Sequence, residues 1–165
     1  MIHPTAIIGE PAQWAKYMPP NVTVHAQRIA AALNTPIIDP TATIGPLCVV
    51  DAGCVRPTVI GARTYLMSQV HVGHGVQLGE DCELATGTVI AGEVTVGDRV
   101  RFGVGALVKP FVTIGDGARI GMGAVVIRDV PAGAVVAGNP ARILLKETVE
   151  LGMETQRALE EANGV

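Results

Sequence analysis

One period governs this chain. Counting in sixes from Ile60, the residues are Ile60, Leu66, Val72, Leu78, Leu84, Ile90, Val96, Phe102, Val108, Ile114, Ile120 and Val126, all apolar. Two residues before the later members of that series stand Thr64, Val70, Val76, Cys82, Thr88, Val94, Val100, Ala106, Val112, Ala118, Ala124 and Val130, all small or β-branched. Glycine often follows the large residue, as at Gly61, Gly73, Gly79, Gly97, Gly103, Gly115 and Gly121. Self-similarity at so short a period is the signature of a parallel β-helix. Residues two apart point the same way in a strand. Gly, Asn or Asp then turns the chain every six residues. Three short strands and three corners make an 18-residue coil, triangular in section, each coil about 4.8 Å above the last. Hydrogen bonds run between coils, the large residue fills the prism, and the small one packs beside it.

Composition fits such a prism. The 165 residues are enough for one domain with a core, and aromatics make up only 3%, which suits an interior of Val, Ile, Leu and Ala. A net charge of −3 gives no nucleic-acid footprint. No apolar run approaches membrane-spanning length, and the start lacks a charged-then-apolar signal segment. Cys48, Cys54 and Cys82 are expected at small inward positions as reduced core fillers, which points to a cytoplasmic protein. No metal-knuckle spacing is present, and no metal is expected.

In chain order, two hexads led by Ile2 and Ile8 open the prism. Residues 14–36 break the pattern with Trp14, Tyr17, Pro19, Pro20 and a short helix expected from about His25 to Leu33. They read as an N-terminal insertion loop that caps the coil or walls a substrate pocket. Hexads resume at Ile38, Ile44 and Val50, but ten residues separate Val50 from Ile60. Four extra residues, assigned to Arg56-Pro57-Thr58-Val59, are expected to bulge at a corner. The coil is expected to end near Val130-Pro131, with the β-helix domain spanning 1–142. Residues 143–165 turn to Leu, Glu, Lys, Met and Gln and read as a C-terminal α-helix covering the coil or a neighbouring subunit.

His71 and His74 are the candidates for chemistry. Both face outward, His74 at a corner. The 18-residue period stacks position 74 under Gly92 and Pro110, position 75 under Glu93 and Phe111, and Ala91 under Lys109. An exposed imidazole one rung below a glycine, whose backbone N–H a ligand could approach, is the minimum kit for acyl transfer. The alternative is a pair of solvated histidines.

The run Leu66-Met67-Ser68-Gln69-Val70-His71-Val72-Gly73-His74, with Ala85-Thr86-Gly87 and Ile90-Ala91-Gly92, resembles the hexapeptide acyltransferase superfamily. The resemblance is to the UDP-N-acetylglucosamine acyltransferases and UDP-3-O-acylglucosamine N-acyltransferases of lipid A synthesis and to sugar acetyltransferases. It implies an all-β fold, a single-stranded left-handed parallel β-helix. That hand runs against the usual rule for crossovers and comes from the resemblance alone. The resemblance also implies that His74 is the general base, that the Gly92 N–H stabilises the oxyanion, and that His71 and Glu93 contact substrate. The tail Gly138-Asn139-Pro140-Ala141-Arg142 resembles the end of acetyl-CoA-dependent serine and sugar acetyltransferases. It implies acetyl-CoA or another acyl-CoA as co-substrate, its phosphates met by Lys109, Arg119, Arg142 and Lys146. A sugar-like small-molecule acceptor and a homotrimer with sites between subunits follow from the same resemblance.

This chain also departs from the pattern. Many relatives carry an acidic residue directly after the base, where this chain has Gly75. The lipid A O-acyltransferases have His where Glu93 stands and His-Gln where Lys109-Pro110 stands. Other readings are an acyl-carrier-protein-dependent lipid A-type acyltransferase and a non-catalytic trimeric β-helix scaffold. A zinc lyase would need His-x4-His, but that spacing runs from His74 to Gly79.

Overall fold

A computed structural model describes residues 1–10 and 35–144. The hexads form the prism. Every two- or three-residue strand belongs to one of three sheets of seven, six and five strands, and each strand pairs with the one a coil above or below. Sheet I runs through Thr43–Ile44, Tyr65–Leu66, Glu83–Leu84, Arg101–Phe102, Arg119–Ile120 and Val135–Ala137. Sheet II runs through Ile7–Glu10, Val49–Asp51, His71–Val72, Val89–Ile90, Leu107–Val108 and Val125–Val126. Sheet III contains Ile37–Ile38, Val59–Ile60, Gln77–Leu78, Thr95–Val96 and Thr113–Ile114. Pairing is parallel in register, Val72 beside Ile90 and Ile90 beside Val108, which is the expected 18-residue rise.

The core lies where the period puts it. Leu66, Val72, Leu84, Ile90 and the small Val70, Cys82, Val94 and Ala106 are all 0–1% exposed. Each large apolar side chain so buried contributes about 1.5–3 kcal/mol. Threonines at small positions satisfy their hydroxyls within the corners: Thr64 donates to the Gly79 carbonyl at 2.8 Å and Thr88 to that of Ala85 at 2.8 Å. Outward residues differ between faces. Sheet I presents Tyr65, Glu83, Arg101 and Arg119, sheet III Gln77, Thr95 and Thr113, and sheet II the apolar Ile7, Val49, Val89, Leu107 and Val125 around His71.

Several boundaries move. The extra corner residues precede Thr58, because Val59 pairs with Gln77 in sheet III and Thr58 fills the small inward position at 0% exposure. Cys54 therefore belongs to the corner insertion and is only half-buried, whereas Cys48 and Cys82 are core; none of the three forms a disulfide among the described residues. Burial raises the Cys48 thiol and pushes the Cys82 thiol up to about 11, so both stay protonated at neutral pH. The winding also runs past Val130-Pro131. Val130 bridges Ile114, Val135–Ala137 adds a parallel strand to sheet I, and Arg142–Ile143 turns back antiparallel. Ile143 is thus strand rather than the start of a helix. Leu144 follows it outside any helix, its N–H donating to the Val135 carbonyl at 2.8 Å; residues 145–165 of the expected C-terminal helix, and residues 14–34 of the insertion, lie outside the described residues. Among the described residues no helix is long and apolar enough to cross a membrane.

Candidate active site

The edge between sheets II and III carries the site. After Val72 the chain turns through Gly73-His74-Gly75, and after Ile90 through Ala91-Gly92-Glu93. Glu93 N donates to the His74 carbonyl at 2.8 Å, which locks the two rungs together. The imidazole lies against the bare face of Gly92: a Cβ there would meet His74 Nε2, with Cε1 2.5 Å and Cδ2 2.7 Å away. Gly92 is consequently buried. Among the described residues no acceptor takes its N–H, whereas the same corner position on the next edge is capped, Glu80 N donating to Asp98 Oδ1 at 2.9 Å.

Glu93 supplies the carboxylate that position 75 lacks. Its Oε1 stands 3.5 Å from His74 Nδ1, with the two side chains 17% and 25% exposed. Gly75 makes room for it, since a Cβ there would meet Oε1 and lie 2.6 Å from Cδ and 2.9 Å from Oε2. Gly75 also takes a left-handed φ of +68°, and Glu93 one of +61°. Such a φ costs an L-residue with a side chain about 1–2 kcal/mol. A carboxylate facing Nδ1 favours the tautomer with hydrogen on Nδ1 and the lone pair on Nε2. Nε2 is then the basic atom, beside Gly92.

Arg56 is the residue that sequence analysis passed over. It rises from the corner insertion along this edge. Its Nε donates to the Gly75 carbonyl at 2.8 Å and sits 3.2 Å from Glu93 Oε2. Its Nη2 reaches the Glu93 carbonyl at 3.4 Å and Thr95 Oγ1 at 3.5 Å. The signal was the four-residue break in phase one coil before His74.

His71 lies on the flat of sheet II, its Nε2 3.2 Å from Asp51 Oδ2 on the rung below. The hydrogen bond to Asp51, opposed by partial burial, raises the affinity of His71 for its proton. Asp51 is a second partner not foreseen. Above Glu93, Phe111 stands 78% exposed with a φ of +64°.

The cations do not gather on one edge of the chain. Lys109 is exposed on the His74 edge, above Ala91. Arg119 stacks on Arg101 in sheet I, because position 119 shares its register with 65, 83 and 101. There it lines a shallow groove of about 600 Å³ with Arg63, Asp81, Glu83 and Arg101. Arg142 is exposed in the final antiparallel strand. Lys146 lies outside the described residues. Among the described residues no cluster of three or more His, Cys, Asp or Glu forms a metal-binding group.

Comparison with known proteins gives one consistent neighbourhood. The model of the bacterial transferase hexapeptide family (six repeats) matches residues 57–92 and 93–128. The UDP-3-O-acylglucosamine N-acyltransferase of Caulobacter sp. (strain K31) is 40% identical over 153 residues, 91% of this chain and 44% of that protein. That of Caulobacter vibrioides (strain NA1000 / CB15N) is 46% identical over 149 residues, 88% of this chain and 42% of that protein. The chain thus spans less than half the length of these curated relatives. UDP-N-acetylglucosamine O-acyltransferase from Moraxella catarrhalis superposes with a TM-score of 0.74 at 29% identity, covering 98% of this chain and 62% of that one. A perosamine N-acetyltransferase from Caulobacter crescentus, solved in complex with CoA and GDP-perosamine, gives a TM-score of 0.55 at 32% identity over 67% of this chain and 54% of that one. By repeat, by fold and by the relatives it matches, the chain belongs to the hexapeptide-repeat acyltransferase superfamily.

Proposed function

We propose that this protein is an acyltransferase that moves an acyl group from a thioester to an amine or hydroxyl of a sugar-like acceptor, with His74 as general base. One observation carries the reading: His74 is set between Glu93 at Nδ1 and Gly92 at Nε2, on the edge of a rigid prism. Nε2 takes the acceptor N–H or O–H proton as nitrogen or oxygen bonds to the thioester carbonyl carbon. The Gly92 N–H donates to the oxyanion that develops. The C–S bond then breaks, and the imidazolium returns the proton to the leaving thiolate. A positioned base contributes about 10²–10⁴-fold, and an oxyanion donor about 10²–10³-fold.

The donor is proposed to be acetyl-CoA or another short acyl-CoA. The Gly138-to-Arg142 tail and the CoA complex of the perosamine N-acetyltransferase support it. Lys109 would meet the CoA phosphates from one chain and Arg119 and Arg142 from its neighbour, with Lys146 beyond. That division requires an oligomer, proposed as a homotrimer with its sites between chains. The apolar outer stripe of sheet II, with Ile7 47% and Leu107 43% exposed, adjoins the His74 edge and favours such packing. Cysteines outside any disulfide suit a cytoplasmic setting. An acyl-carrier-protein donor is the second reading, favoured by the identity to the two Caulobacter enzymes.

Thiol release should be followed with acetyl-CoA, longer acyl-CoAs and an acyl-carrier-protein thioester against UDP-3-O-acylglucosamine, UDP-N-acetylglucosamine and GDP-perosamine. His74→Ala is expected to lose at least about 10²-fold in kcat without unfolding. Retained turnover would remove His74 from the mechanism. No turnover of any pair, with no thermal shift by any donor, would return the chain to the scaffold reading.

A further inference from the structure

The four-residue insertion interrupts the hexads between Val50 and Ile60, and its arginine ends at the proposed base. From a corner one coil below Gly75, Arg56 climbs two rungs, and among the described residues its guanidinium reaches groups around His74. These are the Gly75 carbonyl at 2.8 Å, Glu93 Oε2 at 3.2 Å, and the Glu93 carbonyl and Thr95 Oγ1 at 3.4 and 3.5 Å. Gly53 makes the tight turn possible, since a Cβ at that position would collide with the Arg56 carbonyl and lie 2.8 Å from Pro57 Cα. The insertion thus brings a guanidinium to within 3.2 Å of one Glu93 carboxylate oxygen while the other faces the imidazole at 3.5 Å.

We propose that Arg56 is a positioning residue: it pins Glu93 Oε2 so that Oε1 is presented to His74 Nδ1, which fixes the tautomer and direction of the base. The inference rests on the acyl-transfer reading of His74. Arg56 itself reaches neither Nε2 nor Gly92. Its guanidinium donates to the Gly75 and Glu93 carbonyls from two nitrogens while Nε pairs with the Glu93 carboxylate, an arrangement a lysine cannot reproduce. Other charges around His74 are His71, paired with Asp51 on the face beside it, and Lys109, two rungs above Gly73.

The test uses the full chain and two readouts. First, ¹⁵N-histidine NMR, with His74 assigned by its loss in His74→Ala, reports the tautomer without substrate. Arg56→Gln and Arg56→Met, the second keeping the aliphatic stem, and Glu93→Gln should each move the His74 nitrogen resonances away from the pattern of the tautomer with hydrogen on Nδ1. Second, kcat for the donor–acceptor pair found active should fall roughly ten- to a hundred-fold, with acceptor KM changed less than about threefold. Arg56→Lys should lie in between. In the Glu93→Gln background, Arg56→Gln should add less than about twofold, because it acts through that carboxylate. An unchanged His74 signal in both Arg56 variants, or fully additive losses with Glu93→Gln, overturns the proposal. If His74→Ala retains turnover, the acyl-transfer base falls, and the NMR readout still decides whether Arg56 sets the imidazole.

Discussion

Gly92→Ala should separate chemistry from stability. Gly92 has no left-handed φ, so alanine fits its backbone. What alanine meets is His74, with Cε1 2.5 Å and Cδ2 2.7 Å from the new methyl, where ordinary contact begins at 3.4 Å. The ring must retreat by roughly 1 Å, a displacement that can cost 10²-fold in rate. At 1.36 kcal/mol per decade that is about 2.7 kcal/mol of transition-state stabilisation. The fold loses far less. An off-rotamer imidazole costs about 0.5–1.5 kcal/mol, and Gly to Ala returns about 0.4–1 kcal/mol by restricting the unfolded chain. Thermal unfolding should therefore stay within a few degrees of wild type while kcat falls about 10²-fold. The N–H of residue 92 remains, so the loss reports the displaced base. In a His74→Ala background the same change should do little more. Wild-type kcat in Gly92→Ala, or equal losses with and without His74, would refute the reasoning.

Other perturbations test the surroundings. Gly75→Asp, which places an acid directly after the base, should reduce activity, because its Cβ collides with Glu93 Oε1; combined with Glu93→Ala it should recover part of the loss, since Asp tolerates a left-handed φ. Asp51→Asn should destabilise the protein at acid pH and leave it unchanged at pH 9. The His71 proton is held more tightly in the folded chain through Asp51, so that stabilisation is complete below the ordinary histidine range and vanishes as pH rises through the raised value. Melting curves at pH 5.5 and 9 decide it, and equal shifts at both would discount the pair. Leu84→Ala, at 0% exposure, should cost about 2–5 kcal/mol in denaturant unfolding.

The fold was legible because one period fixes side-chain direction, coil height and pairing partner together. Gly92 above His74, and Glu93 above Gly75, followed from that arithmetic. The same arithmetic would have placed Arg119 over Arg101 on sheet I; grouping cations by charge rather than by register obscured it. Arg56 was hidden for a different reason. A break in period says that a corner bulges but not where its side chains point, and the true insertion begins before the four residues assigned to it. Cys54 was lost to the same shift of phase. The pairing of His71 with Asp51 was within reach, since Val49–Asp51 lies one coil beneath His71–Val72.

The stack also makes the height of the proposed catalytic rung adjustable. Because every coil returns the chain to the same edge, a segment of one whole coil could be gained or lost above Phe111 or below Asp51 without rotating His74, Glu93 or Arg56 relative to one another. Each coil contacts only its neighbours, so such a change would slide the reaction centre along the molecular axis by about 4.8 Å per coil and leave its geometry intact. The prism is in this sense a ruler whose graduations are independent of the chemistry marked on it, and proteins of different lengths can carry one catalytic rung at different distances from whatever binds at either end.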